Sequence, residues 1–101
     1  MKISITGLNK AFESRVRLGI MSALMVNESL DFNSLKSLLD LSDGNLASHL
    51  RALEREQFIE VSKTFVGRKP HTRYRMTQSG KRAFEDHLDA LETLIKNRTK
   101  D

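Results

Sequence analysis

The sequence predicts an α+β fold, mostly helical with one small β-hairpin and a long C-terminal helix, and three observations carry that prediction. Apolar residues recur at helical spacing near both ends and twice in the middle of the chain. The period falls to two in 58-FIEVSK-63 and again in 73-RYRMT-77. The two middle helical stretches are separated by only three or four residues, the spacing of a helix-turn-helix.

Taken in order, the first helix is expected from Leu8 to about Met25. Phe12, Val16, Ile20, Ala23 and Leu24 form its stripe, and Gly19 allows a neighbour to come close. Asn27 to Phe32 is a turn leading into a short extended piece. Asn33 or Ser34 can cap a short second helix that turns Leu35, Leu38 and Leu39 inward. Ser42 is the natural cap of the third helix, its hydroxyl accepting from the amide of Gly44 or Asn45, and the helix-turn-helix spans about 33–56. A hairpin follows over about 58–77. Ile59, Val61, Tyr74 and Met76 face inward, while Glu60, Ser62, Arg73 and Arg75 face out. Its strands are expected to end at Lys63 and resume at Arg73, leaving a nine-residue loop with Gly67 and Pro70 at the tip. Thr77 caps a last helix over about 78–97, whose Phe84, Leu88, Leu91 and Ile95 repeat at a 4-3-4 spacing. A chain of 101 residues is the size of a single domain, 1–101, with one modest core.

Composition narrows the function. There is no cysteine, which excludes disulfides, thiolate metal sites and cysteine catalysis. No apolar run reaches the roughly 18 residues of a membrane span, and the N-terminus lacks the apolar core of a signal peptide, so a cytoplasmic protein without membrane contact is expected. The net charge of +4 hides an asymmetry. Residues 61–84 hold Lys63, Arg68, Lys69, Arg73, Arg75, Lys81 and Arg82 and no acid. The rest of the chain holds ten basic and thirteen acidic residues. A polyanion-binding surface produces this pattern, because phosphate neutralisation needs local positive potential; a solvated basic face without a partner produces it too.

The third helix is unusual on its outer face. Leu46, Leu50 and Leu53 share one side, and the opposite side carries Gly44, Ser48, Arg51, Ala52 and Arg55, with Asn45 at its margin. Several of these side chains are very small. The succession 35-LKSLLDLSDGNLASHLRALEREQFIEV-61 followed by 73-RYRMTQSGKRAF-84 resembles the winged helix-turn-helix transcription regulators of the MarR-like and ArsR-like kind over roughly residues 12–90. Gln57 departs from that pattern. Glycine is usual at the helix end before the wing, so a left-handed residue here costs about 1 kcal/mol, or the turn differs.

The resemblance implies a recognition helix in the major groove and a wing on the flanking backbone or minor groove. Small residues at Gly44, Ser48 and Ala52 permit a close approach. Asn45, Ser48, His49 and Arg51 can address base edges, Arg55 reaches toward phosphate, and Ser42 stands at the cap. On the wing, Arg68 and Lys69 lead, followed by His71, Thr72 and Arg73, with Lys63 and Arg75 as the nearest outward strand residues. The expected partner is double-stranded DNA, bound by a homodimer acting as a repressor, because the 84-88-91-95 seam is long enough to pair two chains and Ile3, Ile5 and Leu8 can join it. Packing on the first helix of the same chain accounts for part of that seam. His49, His71 and His87 lie on separate elements, so no metal is expected, and no cofactor. Asp40 and Asp43 read as complements to a helix N-terminus. No nucleophile with an obvious base is visible, so no enzyme is expected. An effector is not legible. The alternative is a winged-helix module that docks its basic wing on an acidic protein, and RNA binding ranks third.

Overall fold

The structure, a computed structural model, describes residues 3–99, with side chains through 96. Its elements are a 3-10 turn (Lys10–Phe12), α1 (Arg15–Met25), β1 (Leu30–Asp31), α2 (Phe32–Leu39), α3 (Asp43–Arg55), β2 (Ile59–Val66), β3 (Lys69–Met76) and α4 (Gln78–Thr99). The helix expected from Leu8 starts seven residues later. Two side chains compete to begin it: Asn9 accepts from the amide of Ala11 and closes the 3-10 turn, and Ser14 accepts from the amide of Arg17 and opens α1. The break places Phe12 at the centre of the core, its ring centroid 5.2 Å from both Phe58 and Phe84. Gly19 does admit a neighbour, since a Cβ there would meet Leu39 Cδ2 at 2.9 Å.

The cap of α2 is Asp31, two residues before Asn33. Its Oδ1 accepts from the Ser34 amide at 2.7 Å. Leu35 is buried and Leu39 half-buried, whereas Leu38, expected inside, is 62% exposed, because it lies about 60° round the helix from Leu35 on the side away from Leu39. The helix ends at Asp40, which adopts a left-handed conformation with φ 52°, while the Leu41 amide donates to Lys36 O at 3.1 Å. Asp40 thus closes α2. Asp43, in the first turn of α3, pairs with Lys36 at 2.7 Å.

Ser42 caps α3 as expected, accepting from the Asn45 amide at 3.3 Å. Leu46, Leu50 and Leu53 are buried, and so is Ala52, which the periodicity placed outside. Ala52 lies only about 100° from Leu53, and the buried arc of the helix is wide enough to include that flank. The C-terminus of α3 takes the left-handed turn: Gln57 has φ 63°, and the Phe58 amide donates to Leu53 O at 3.0 Å. Gln57 O then accepts from the hydroxyls of Thr77 at 2.7 Å and Ser79 at 3.0 Å, tying the end of α3 to the start of α4. Thr77 caps α4 by accepting from the Gly80 amide at 2.9 Å. A Cβ at Gly80 would stand 2.0 Å from the Phe58 carbonyl oxygen, so this junction closes only over glycine.

The sheet is antiparallel in the order β1-β3-β2, with Ile59 opposite Met76 and Val61 opposite Tyr74. The nine-residue loop does not form. Both strands run on to a two-residue turn at Gly67 and Arg68, with φ 66° at the glycine. Beyond Val61 neither face of the ribbon is apolar throughout, so the ladder extends with no alternation to announce it. Pro70 fits because it faces Phe65, one pair in from the turn-closing pair Val66–Lys69. At that non-hydrogen-bonded position a missing amide hydrogen costs no ladder bond.

Candidate nucleic-acid interface

The outer face of α3 is open. Ser42, Gly44, Asn45, Ser48, Arg51 and Arg55 are all exposed, and among the described residues a Cβ on Gly44 would meet nothing within 4 Å beyond its own stretch of helix. Arg51 and Arg55 join no ion pair among the described residues. His49 differs from them. It is half-buried, and its Nδ1 accepts from Arg17 Nε at 3.0 Å, a contact between α1 and α3 that the sequence did not suggest. Burial first, and then the Arg17 charge, hold this imidazole below its ordinary pKa.

The hairpin residues fall into two groups. Lys63, Arg68 and Lys69 are exposed and join no ion pair among the described residues. Three of the others have side-chain partners within the chain. Arg75 pairs with Glu60 across the strands. Arg73 donates from Nε to Ser29 Oγ at 2.9 Å and from Nη2 to Ser29 O at 3.1 Å. His71 Nε2 lies 3.2 Å from Asp31 Oδ2. The Asp31 carboxylate stays below the usual carboxylate range because the Ser34 amide and then Ser34's side chain bond to it, with His71 adding to the effect. Thr72 is half-buried opposite Lys63. Two exposed apolar residues were hidden in the expected loop: Phe65 and Val66 next to the turn, 72% and 66% exposed.

The remaining histidine is structural. His87 is buried, its Nδ1 accepts from the Asn9 amide at 2.9 Å, and its ring meets that of Phe12 edge-on. Burial pushes its pKa down, opposed by Glu13. Among the described residues no three His, Asp or Glu side chains converge to hold a metal, and no helix is long and apolar enough to cross a membrane.

An open, capped helix beside a basic hairpin, with a third helix behind, is the geometry that comparison with known proteins identifies. The sequence profile of the winged helix DNA-binding domain matches residues 16–95. The chain belongs to that family. An uncharacterized protein of Methanocaldococcus jannaschii is 38% identical over 88 residues, covering 87% of this chain and 96% of the relative. The solved structure of a transcriptional regulator homologue from Pyrococcus horikoshii OT3 superposes with a TM-score of 0.80 at 33% identity, covering 89% of each chain. A proposed MarR-family transcriptional regulator from Enterococcus faecalis V583 shares the fold at a TM-score of 0.72 and 22% identity, over 87% of this chain and 82% of its own. In winged-helix terms α2 and α3 are the helix-turn-helix, and β2 and β3 are the wing.

Proposed function

We propose that this winged-helix protein is a transcriptional regulator, a repressor, that binds double-stranded DNA sequence-specifically as a homodimer. In this reading α3 enters the major groove and the wing tip lies on the flanking backbone or minor groove. The observation that carries the reading is the free outer face of α3 from Ser42 to Arg55, set beside three wing cations that have no ion-pair partner among the described residues. Gly44, Asn45, Ser48, His49 and Arg51 are the base-facing set. Arg55, Lys63, Arg68 and Lys69 are the phosphate set. His71, Arg73 and Arg75 are spent on partners in the chain and serve to support the wing, while Thr72 stands half-buried opposite Lys63.

The dimer reading rests on the distal half of α4. Phe84, expected at the interface, is buried in the core of its own chain. Leu88 and Ile95 are exposed, with Leu91 half-buried between them. The N-terminal segment touches the same helix: a Cβ on Gly7 would stand 3.1 Å from Ala90 Cβ, and Ile3 and Ile5 are exposed, with Leu8 half-buried. In this reading a second copy covers the exposed apolar residues of α4, with the N-terminal Ile3 and Ile5 available to join them, giving two recognition helices for half-sites about 34 Å apart.

Titration of random duplex DNA over a range of salt tests the reading. A salt-dependent shift that Ser48→Glu abolishes without lowering thermal stability is the expected result. The exposed Phe65 and Val66 favour the alternative of a protein-docking wing, and duplex DNA that does not shift even at low salt would establish that alternative over this one. For assembly, Ile95→Asp should convert a species near 23 kDa into one near 11.5 kDa by light scattering. A wild-type chain already monomeric at micromolar concentration would end the dimer proposal.

A further inference from the structure

We propose that Arg17 is a positioning residue of the DNA surface: by bonding to His49 it sets which ring nitrogen carries the proton, so that α3 offers DNA a single hydrogen-bond donor at this position. The inference rests on the DNA reading above. A guanidinium has donors and no acceptor. The imidazole nitrogen that meets Arg17 Nε at 3.0 Å must therefore be unprotonated, and in the neutral ring the proton sits on the other nitrogen.

Arg17 is itself held in place. Its Nη1 donates to Ala11 O at 3.3 Å, and its backbone amide donates to the Ser14 hydroxyl at 3.3 Å. Both anchors belong to the cap segment that breaks the first helix in two, so this break gives the guanidinium its orientation. His49 Nε2 bonds to no described group, and no buried side-chain nitrogen or oxygen among the described residues lacks a partner. That nitrogen therefore reaches solvent, one helical turn along from Asn45.

A lone N–H on the flank of a groove-bound helix selects acceptors: a purine N7, guanine O6, thymine O4 or a phosphate oxygen. It rejects the amino groups of cytosine and adenine. Freed from Arg17, the ring can carry its proton on either nitrogen or take a second one, and the selection is lost. Arg17 acts through His49 and needs no contact with DNA of its own.

The test begins without DNA. In a long-range proton–nitrogen correlation spectrum of the free 15N-labelled chain at neutral pH, His49 should show a protonated Nε2 and a bare Nδ1. Arg17→Met should move the His49 signals toward a tautomer mixture and leave those of His87, whose Nδ1 is bonded by Asn9, in place. A wild-type His49 protonated at Nδ1, or one unmoved by Arg17→Met, overturns the proposal. If Arg17→Met does not fold, Arg17→Gln serves in its place, since an amide can accept as well as donate and no longer dictates the tautomer, while the wild-type spectrum already decides the tautomer.

Selection from random duplexes then reads the consequence. His49→Ala and Arg17→Met should both lose a preference of about two- to tenfold at the same base position, the worth of one hydrogen bond. Loss in His49→Ala with retention in Arg17→Met overturns the positioning role. A wild-type chain that keeps the Nε2–H tautomer yet binds no duplex overturns the DNA reading, and the presentation to DNA with it, leaving Arg17 as a structural anchor only.

Discussion

The base and the tip of the wing carry the same kinds of residue and use them differently. At the base, Arg75, Arg73 and His71 meet Glu60, Ser29 and Asp31. At the tip, Arg68 and Lys69 join no ion pair among the described residues, and neither does Lys63 in the middle of β2. For Arg73 and His71 the short strand β1 makes the difference. Leu30 pairs with Tyr74 and Asp31 with Arg73, which brings Ser29 and Asp31 alongside the hairpin, and the pairing stops there. Local charge density therefore does not mark a binding surface by itself. What marks it is whether the chain supplies its own partners within reach, because a satisfied guanidinium must break those bonds before it can serve a phosphate.

Substitutions that move outward from the base should show falling costs in stability. Gly80→Ala strikes the junction beneath the base and forces a methyl against the Phe58 carbonyl. It should cost about 3 kcal/mol in a denaturant titration, the upper end of ordinary overpacking. A loss under about 0.5 kcal/mol would mean that the junction yields and the base is not rigid. Arg73→Ala removes two hydrogen bonds to Ser29 and should cost about 1–2 kcal/mol, while the salt slope of DNA binding stays where it was. A shallower slope would place Arg73 with the tip.

Acid acts on the core on which the wing stands, away from the tip. Burial holds the pKa of His87 below its ordinary value, so the unfolded chain takes up a proton that the folded chain refuses. The stability that His87 contributes is complete above about pH 6.5 and is lost as the pH falls below that value. The melting temperature should fall between pH 7.5 and 5.5, and His87→Gln, which keeps an acceptor for Asn9, should flatten the fall. An equally steep profile in the variant would move the acid sensitivity elsewhere. The smallest stability change belongs to the tip. Arg68→Ala with Lys69→Ala should leave the melting curve within about 0.5 kcal/mol of wild type, yet reduce the slope of log affinity against log salt by about 0.9 for each phosphate that is no longer neutralised. An unchanged slope would remove the tip from the DNA surface and erase its contrast with the base.

The parts of this fold legible in the sequence are those governed by neighbours within a turn or two. Ser42, Thr77 and the leucines of α3 announce a capped helix because the hydroxyl and the amide it serves are three residues apart. The left-handed turn at Gln57 was legible as a conflict with the usual glycine, and the structure shows the turn kept, with two hydroxyls from the next junction bonded to the Gln57 carbonyl. The start of α1 was not legible, since Asn9, Ser14 and a long apolar stripe compete over the same residues. Asp31 was missed as a cap because a strand residue was not expected to open a helix. The partition of the wing charges and the Arg17–His49 bond join residues 15 to 44 positions apart, and no local pattern encodes such pairs.

The sheet order leaves β2 at an edge, so along its outer side alternate peptide groups face solvent with no strand beside them among the described residues. An edge of eight residues that ends in exposed Phe65 and Val66 is a template on which another extended chain could align. Lys63, in the middle of that edge, interrupts it with a cation that would have to be stripped of water whenever two such edges approached. The lysine thus has a second occupation, as a gatekeeper of colloidal behaviour. Replacing it with valine would complete the run from Val61 to Val66 as a sticky ribbon, and the variant's solubility limit should fall before its melting temperature does.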